Sequence, residues 1–181
     1  HEPNFYKTLL EIDILLWERA RAEGCPYCGG PLHQANYPRK PRGGPAELPP
    51  GYDRRLSLCC GVEGCRRRTT PPSVRFLGRR VYLGAVLVLV SAMQHGPERV
   101  RITELLERFG VSRWTVGRWR RWWRESFEQT RFWLAHRGQL MPPPDLATLP
   151  NSLLERFVGD DQRERLVALL RFLSPLTVPG S

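Results

Sequence analysis

Apolar residues recur every three to four positions over residues 4–21, where Phe5, Leu9, Ile12, Leu16 and then Arg19 or Ala20 share one face. That spacing predicts an amphipathic helix closed by Gly24 as its C-terminal cap. The texture then changes. Residues 26–51 are dense in Pro and Gly, which predicts turns and short strands. Residues 54–60 alternate apolar and polar positions as a strand does. Residues 66–80 are basic, interrupted by Pro71 and Pro72. Residues 81–94 are apolar and of helical length, stopped by His95, Gly96 and Pro97. Residues 100–109 read as a second short helix closed by Gly110, and Ser112 caps a third that runs to about residue 137. Met141-Pro142-Pro143-Pro144 reads as a linker. Two helical patterns follow, over 152–158 and 161–173, with Leu153, Leu154 and Phe157, then Leu166, Leu169, Leu170 and Leu173, as their apolar positions.

The predicted fold class is mostly α with a small β zinc ribbon, containing a three-helix helix-turn-helix domain flanked by N- and C-terminal helices. Four units follow: an amphipathic helix over 1–24, a ribbon with a basic tail over 25–80, a helix-turn-helix domain over 81–140, and a linker with C-terminal helices over 141–181. No run reaches the 18 apolar residues that a membrane-spanning helix needs, so no membrane partner is expected.

The five cysteines carry the first chemistry. Their odd number, with no secretory-leader pattern, argues against a disulfide framework and predicts a reduced cytoplasmic, nucleoid-associated setting. Cys25-Pro-Tyr-Cys28-Gly-Gly has the form of a metal knuckle, with Gly supplying the left-handed turn residue. A second cluster, Cys59-Cys60-Gly-Val-Glu-Gly-Cys65, follows. Two such knuckles predict four thiolates around one structural Zn²⁺ ion, a closed set that leaves no position for substrate. Five thiols compete for four places. On a strand, Leu56, Leu58 and Cys60 share one face while Ser57 and Cys59 share the other. Cys25, Cys28, Cys60 and Cys65 are the expected ligands, with Cys59 the alternative to Cys60.

The second chemistry lies between residues 102 and 124. A short helix, a Gly turn, an apolar residue, a Ser cap and a basic helix form the layout of a helix-turn-helix. On a wheel with Trp114 at the origin, Val116, Trp119, Trp123 and Phe127 fall within an arc of about 140–220°, which marks a core face. The opposite arc holds Trp114, Gly117, Arg118, Arg121 and Arg124, with Arg113 on its flank. Ser112, Arg113, Trp114, Gly117, Arg118, Arg120, Arg121 and Arg124 are the expected DNA-binding residues. Arg113, Trp114, Gly117 and Arg118 are placed on base edges, and Ser112, Arg120, Arg121 and Arg124 on phosphates. Arg66, Arg67 and Arg68, with Arg75, Arg79 and Arg80, form a second basic patch.

Charge sharpens this picture. The net charge is +10, and 26 of the 28 basic residues are Arg. The excess is concentrated, at +8 over residues 25–80 and +5 over 81–140, against −2 before and −1 after. A concentrated positive surface predicts a polyanionic partner, here double-stranded DNA. No Ser–His–Asp, Cys–His or phosphate-loop pattern is present and the four His are scattered, so no enzymatic activity is expected.

Cys25-Pro-Tyr-Cys28-Gly, Gly64-Cys65-Arg-Arg-Arg-Thr-Thr and Phe109-Gly-Val-Ser-Arg-Trp-Thr-Val-Gly-Arg-Trp119 together resemble the N-terminal DNA-binding region of bacterial insertion-sequence transposases and their accessory proteins. The resemblance covers roughly residues 25–125. It implies recognition of the terminal inverted repeats of a mobile element, with a transposase or recombinase as a further partner. The apolar stripe of Leu166, Leu169, Leu170 and Leu173 is expected to dock on the N-terminal helix or to pair with a second copy of the chain. Such transposases carry three separated carboxylates on an RNase H-like fold. Here Asp145, Glu155, Asp160, Asp161 and Glu164 lie in helical or linker patterns with no strands around them, so catalysis is not transferred. A stand-alone transcriptional regulator and an RNA-binding zinc-ribbon protein are the alternative readings.

Overall fold

The computed structural model describes residues 2–39, 41–42, 47–77, 84, 88 and 111–178. The expected helix over 100–109, and all but Gly84 and Val88 of that over 81–94, lie outside the described residues, as do Arg79 and Arg80. Helix is the main secondary structure, joined by a small antiparallel sheet.

Helix α1 spans Glu2–Glu23 and ends at Gly24, whose φ of +80° suits glycine. It serves two cores. Tyr6, Leu9 and Ile12 enter the large apolar core, while Trp17 and Ala20 pack on a smaller one formed by Cys25, Leu32, Leu58 and Cys60. The Trp17 indole N–H donates to the Ser57 carbonyl at 3.2 Å and ties α1 to the ribbon.

The ribbon holds strands β1 (Leu32–Gln34), β2 (Tyr37–Pro38), β3 (Arg54–Arg55), β4 (Leu58–Cys60) and β5 (Arg68–Thr69). Strands β1, β4 and β5 form an antiparallel sheet in that order, and β2 pairs with β3. The strand expected over 54–60 is therefore two strands in two sheets. Between them Ser57 is fully buried, its amide donating to Asn36 Oδ1 at 2.9 Å and its hydroxyl bonded to Thr69 and Thr70. Leu56 is only half-buried, so the alternation holds from Leu58 to Cys60 and not before.

Helix α2 spans Arg113–Arg121. Ser112 caps it, accepting from the Thr115 amide at 3.2 Å. Val111 and Val116, at the positions of a hydrophobic staple, are both buried. The long third helix expected to reach residue 137 is broken. A π turn over Trp122–Ser126 and a 3-10 turn over Phe127–Gln129 follow α2, and Thr130 turns the chain with ψ 142°. The Thr130 hydroxyl donates to the Phe127 carbonyl at 2.7 Å and accepts from the Trp133 amide at 3.1 Å, capping the new helix α3 (Arg131–His136). The break lets Trp133 fold back on Phe127, with ring centroids 5.1 Å apart. Helix α4 (Asn151–Leu154) and helix α5 (Gln162–Leu173) complete the fold, and Leu166, Leu169, Leu170 and Leu173 are buried as their spacing predicts. The pattern over 152–158 yields only the single turn of α4, and Val158 is exposed.

One polar cluster ties these parts together. Asp13 on α1 accepts from the Ser73 hydroxyl at 2.5 Å, the Val74 amide at 2.7 Å and Arg75 Nε at 2.7 Å. The Arg75 guanidinium also donates to the carbonyls of Tyr52 and Arg54, and the Ser73 amide to Thr177 Oγ1. Arg75 is fully buried. Its place in an exposed basic patch is corrected: a buried, paired cation contributes nothing to a phosphate-binding surface. The missed signal was Asp13 itself, an acid set on the apolar face of α1 that demands a buried partner.

Candidate metal centre and nucleic-acid interface

Both knuckles are built from tight turns that aim thiols at one point. In the first, the Gly29 amide donates to the Cys25 carbonyl at 2.8 Å and the Cys25 amide to the Gly30 carbonyl at 2.9 Å, with Gly29 at φ +70°. In the second, the Cys65 amide donates to the Val62 carbonyl at 3.2 Å and Gly64 takes φ +86°. The knuckles meet closely, since a Cβ on Gly30 would lie 2.3 Å from a Val62 methyl.

The sulfurs of Cys25, Cys28, Cys60 and Cys65 all lie within 4.8 Å of one another. Cys25 and Cys65 are 3.8 Å apart and Cys28 and Cys60 3.5 Å, with no disulfide among them. A regular tetrahedron of thiolates about 2.3 Å from a central ion has edges of about 3.8 Å. The cluster thus has the size of a four-thiolate metal site, and these residues can hold a metal ion. Cys59 points elsewhere. Its thiol donates to the Arg66 carbonyl at 3.3 Å, and its cross-strand neighbours are His33 and Arg68. His33 is exposed on that same outward row.

Electrostatics prepares the site unevenly. A hydrogen bond from the Tyr27 backbone amide brings the Cys25 thiol down to about 7 in spite of its burial. Burial pushes the Cys60 thiol up to about 12. A divalent cation held among the sulfurs would favour the thiolate form that burial disfavours at Cys60.

The second site is the outer face of α2. Val116, Trp119, Trp123 and Phe127 are buried, as the wheel predicts. Ser112, Arg113, Trp114, Gly117, Arg118, Arg120, Arg121 and Arg124 are all exposed. No acidic residue lies in the first turn of α2. Trp114 is 71% exposed, and the Arg118 guanidinium stacks on its ring at 4.3 Å. A Cβ built on Gly117 meets no atom within 4 Å among the described residues. Arg120 and Arg124 lie toward one flank, where with Glu128, Leu146 and Leu149 they line a groove of about 340 Å³.

On the ribbon, Arg66, Arg67 and Arg68 are exposed. Arg67 stacks on Tyr27 at 4.5 Å, and Arg68 lies 5.4 Å from the Tyr37 ring while donating to the Ala35 carbonyl at 2.8 Å. None of the described helices is long and apolar enough to cross a membrane. Comparison with protein-family models, curated proteins and solved structures finds no match for this chain.

Proposed function

We propose that this chain is a non-catalytic, sequence-specific binder of double-stranded DNA, with α2 as its recognition helix and one Zn²⁺ in the four-cysteine cluster as a structural ion. The observation that carries the reading is the division of α2. Its inner face is a closed aromatic core, and its outer face presents Arg113, Trp114, Arg118 and Arg121 to solvent with no acid in the first turn. A helix that is buried on one side and cationic on the other is shaped to lie in a major groove, where Arg pairs with guanine O6 and N7. Arg66, Arg67 and Arg68 extend the cationic surface to the ribbon. The zinc-knuckle sequences beside a basic helix favour a role at the ends of a mobile element, with a transposase or recombinase as partner, in the cytoplasm at the nucleoid. The same chemistry serves a stand-alone regulator.

Titration of fluorescent duplexes across a salt series tests the reading. If both basic surfaces engage, about 6–10 phosphates are neutralised and the log–log slope approaches −0.9 per phosphate. A slope of about −2 to −3 would confine binding to one surface. Tighter binding to structured RNA than to any duplex would replace the DNA reading with the RNA one.

A further inference from the structure

Trp114 is a large apolar side chain left in water at the start of α2, 71% exposed. An indole left largely in water forgoes most of the stabilisation that burial brings. Among the described residues its ring partner is Arg118, one turn on, stacked at 4.3 Å. Gly117 stands beside the pair. Mid-helix glycine is unfavourable relative to alanine, and no internal contact calls for it, because a Cβ there meets no atom within 4 Å among the described residues. Two disfavoured choices on one exposed surface point outward, to a ligand that needs a flat indole and a bare backbone next to it.

We infer that Trp114 and Arg118 act as one plate that reads a two-base step, in which Arg118 pairs with a guanine and Trp114 contacts the C5-methyl group of the adjacent pyrimidine. The inference rests on the duplex-binding reading of α2. Stacking on the indole holds the guanidinium plane while leaving its N–H edge free for the O6 and N7 of guanine. Bases along a strand are spaced by about 3.4 Å, so a plate spaced at 4.3 Å puts the indole beside the next pair when Arg118 lies in the plane of its guanine. The apolar group displayed there in the major groove is the pyrimidine C5-methyl. Gly117 lets the helix backbone come close enough for the indole to reach it. Thymine and 5-methylcytosine both carry this group.

The test begins with the zinc-loaded full chain and a random duplex pool, followed by base replacement in the selected site. The expected motif contains guanine flanked by thymine. Replacing that thymine by uracil, which removes only the methyl, weakens binding about fourfold, the worth of one buried methylene. Replacing it by cytosine weakens binding, and 5-methylcytosine restores it if the methyl alone is read. Failure of 5-methylcytosine to restore it while uracil still weakens binding assigns the contact to thymine. In Trp114→Ala the thymine-to-uracil ratio falls to one, whereas Trp114→Phe keeps part of it. Trp114 lies outside the core, and the ratio is internal to each protein, so a change in folding does not mimic the result. If the pool yields no enriched duplex, the DNA reading fails and takes this inference with it. If a motif emerges but uracil binds as well as thymine, or Trp114→Ala keeps the ratio, the plate alone is wrong and the DNA reading stands.

Discussion

The ribbon and the helical body are held together by different forces. Among the described residues the ribbon's own core is four buried residues, with Tyr52 buried in the large core instead, and two of the four, Cys25 and Cys60, are metal-ligand candidates. The helical body instead buries Trp119, Trp123, Phe127, Leu153, Leu169 and Leu173 almost completely. Its aromatic rings interlock, with Trp122–Trp123 centroids at 4.7 Å and Trp123–Phe127 at 4.8 Å. A core of four residues cannot offset the conformational entropy of a Pro- and Gly-rich segment, whereas a large apolar core can. One part of the chain has few apolar contacts and a cluster of four thiols that can hold a metal ion, and the other has its stability spread over many contacts.

The largest effect should come from metal removal. Structural zinc is worth about 10–16 kcal/mol, comparable to a whole domain's stability of about 5–15 kcal/mol. Strong chelation should therefore unprotect the amides of residues 25–70 in hydrogen exchange while those of α2 and α5 stay protected. Simultaneous loss in both regions, or purified protein with no bound zinc, would break the comparison. Cys60→Ser should lower metal content and Cys59→Ser should not, because only the Cys60 sulfur faces the cluster.

Asp13→Ala comes next. It leaves the Arg75 guanidinium buried without its carboxylate, a change that costs about 3–5 kcal/mol. Because Asp13 joins α1 to residues 73–75, this variant should lower the melting temperature of both regions while keeping the zinc stoichiometry. A melting temperature equal to wild type would show that the pair does not couple them.

Two smaller effects probe the outer face of α2. Arg118→Ala should weaken binding to the selected duplex by about 1–3 kcal/mol and relax preference at one base pair. Equal weakening on every sequence would move Arg118 from base reading to phosphate contact. Gly117→Ala should stabilise the helix by about 1 kcal/mol and still weaken DNA binding, because the new methyl group stands on the face proposed to approach the groove. Tighter or unchanged binding in that variant would remove the functional reason for the glycine.

Much of this was legible along the chain. The knuckles were readable because Cys spacing and Gly turns are local features. The two faces of α2 were readable because residues 113–121 keep one regular period and strongly segregated residues. The break at Thr130 was harder to read. Ser126 and Thr130 are good caps, but the aromatic periodicity runs straight through them, and the turn depends on Trp133 finding Phe127. The split of residues 54–60 into β3 and β4 was hidden for a similar reason. Alternation reports which positions share a face only while the strand stays in one sheet.

Residue type and local spacing were enough for the two cysteine knuckles, the concentrated positive charge and the amphipathic division of α2. Only the tertiary structure decided that Arg75 is an internal ion-pair partner of Asp13, because a charge 62 residues away is invisible to local pattern. It also resolved Cys60 against Cys59. Both are thiols on one strand, and the pleat sends the first into the cluster and the second toward the Arg66 carbonyl.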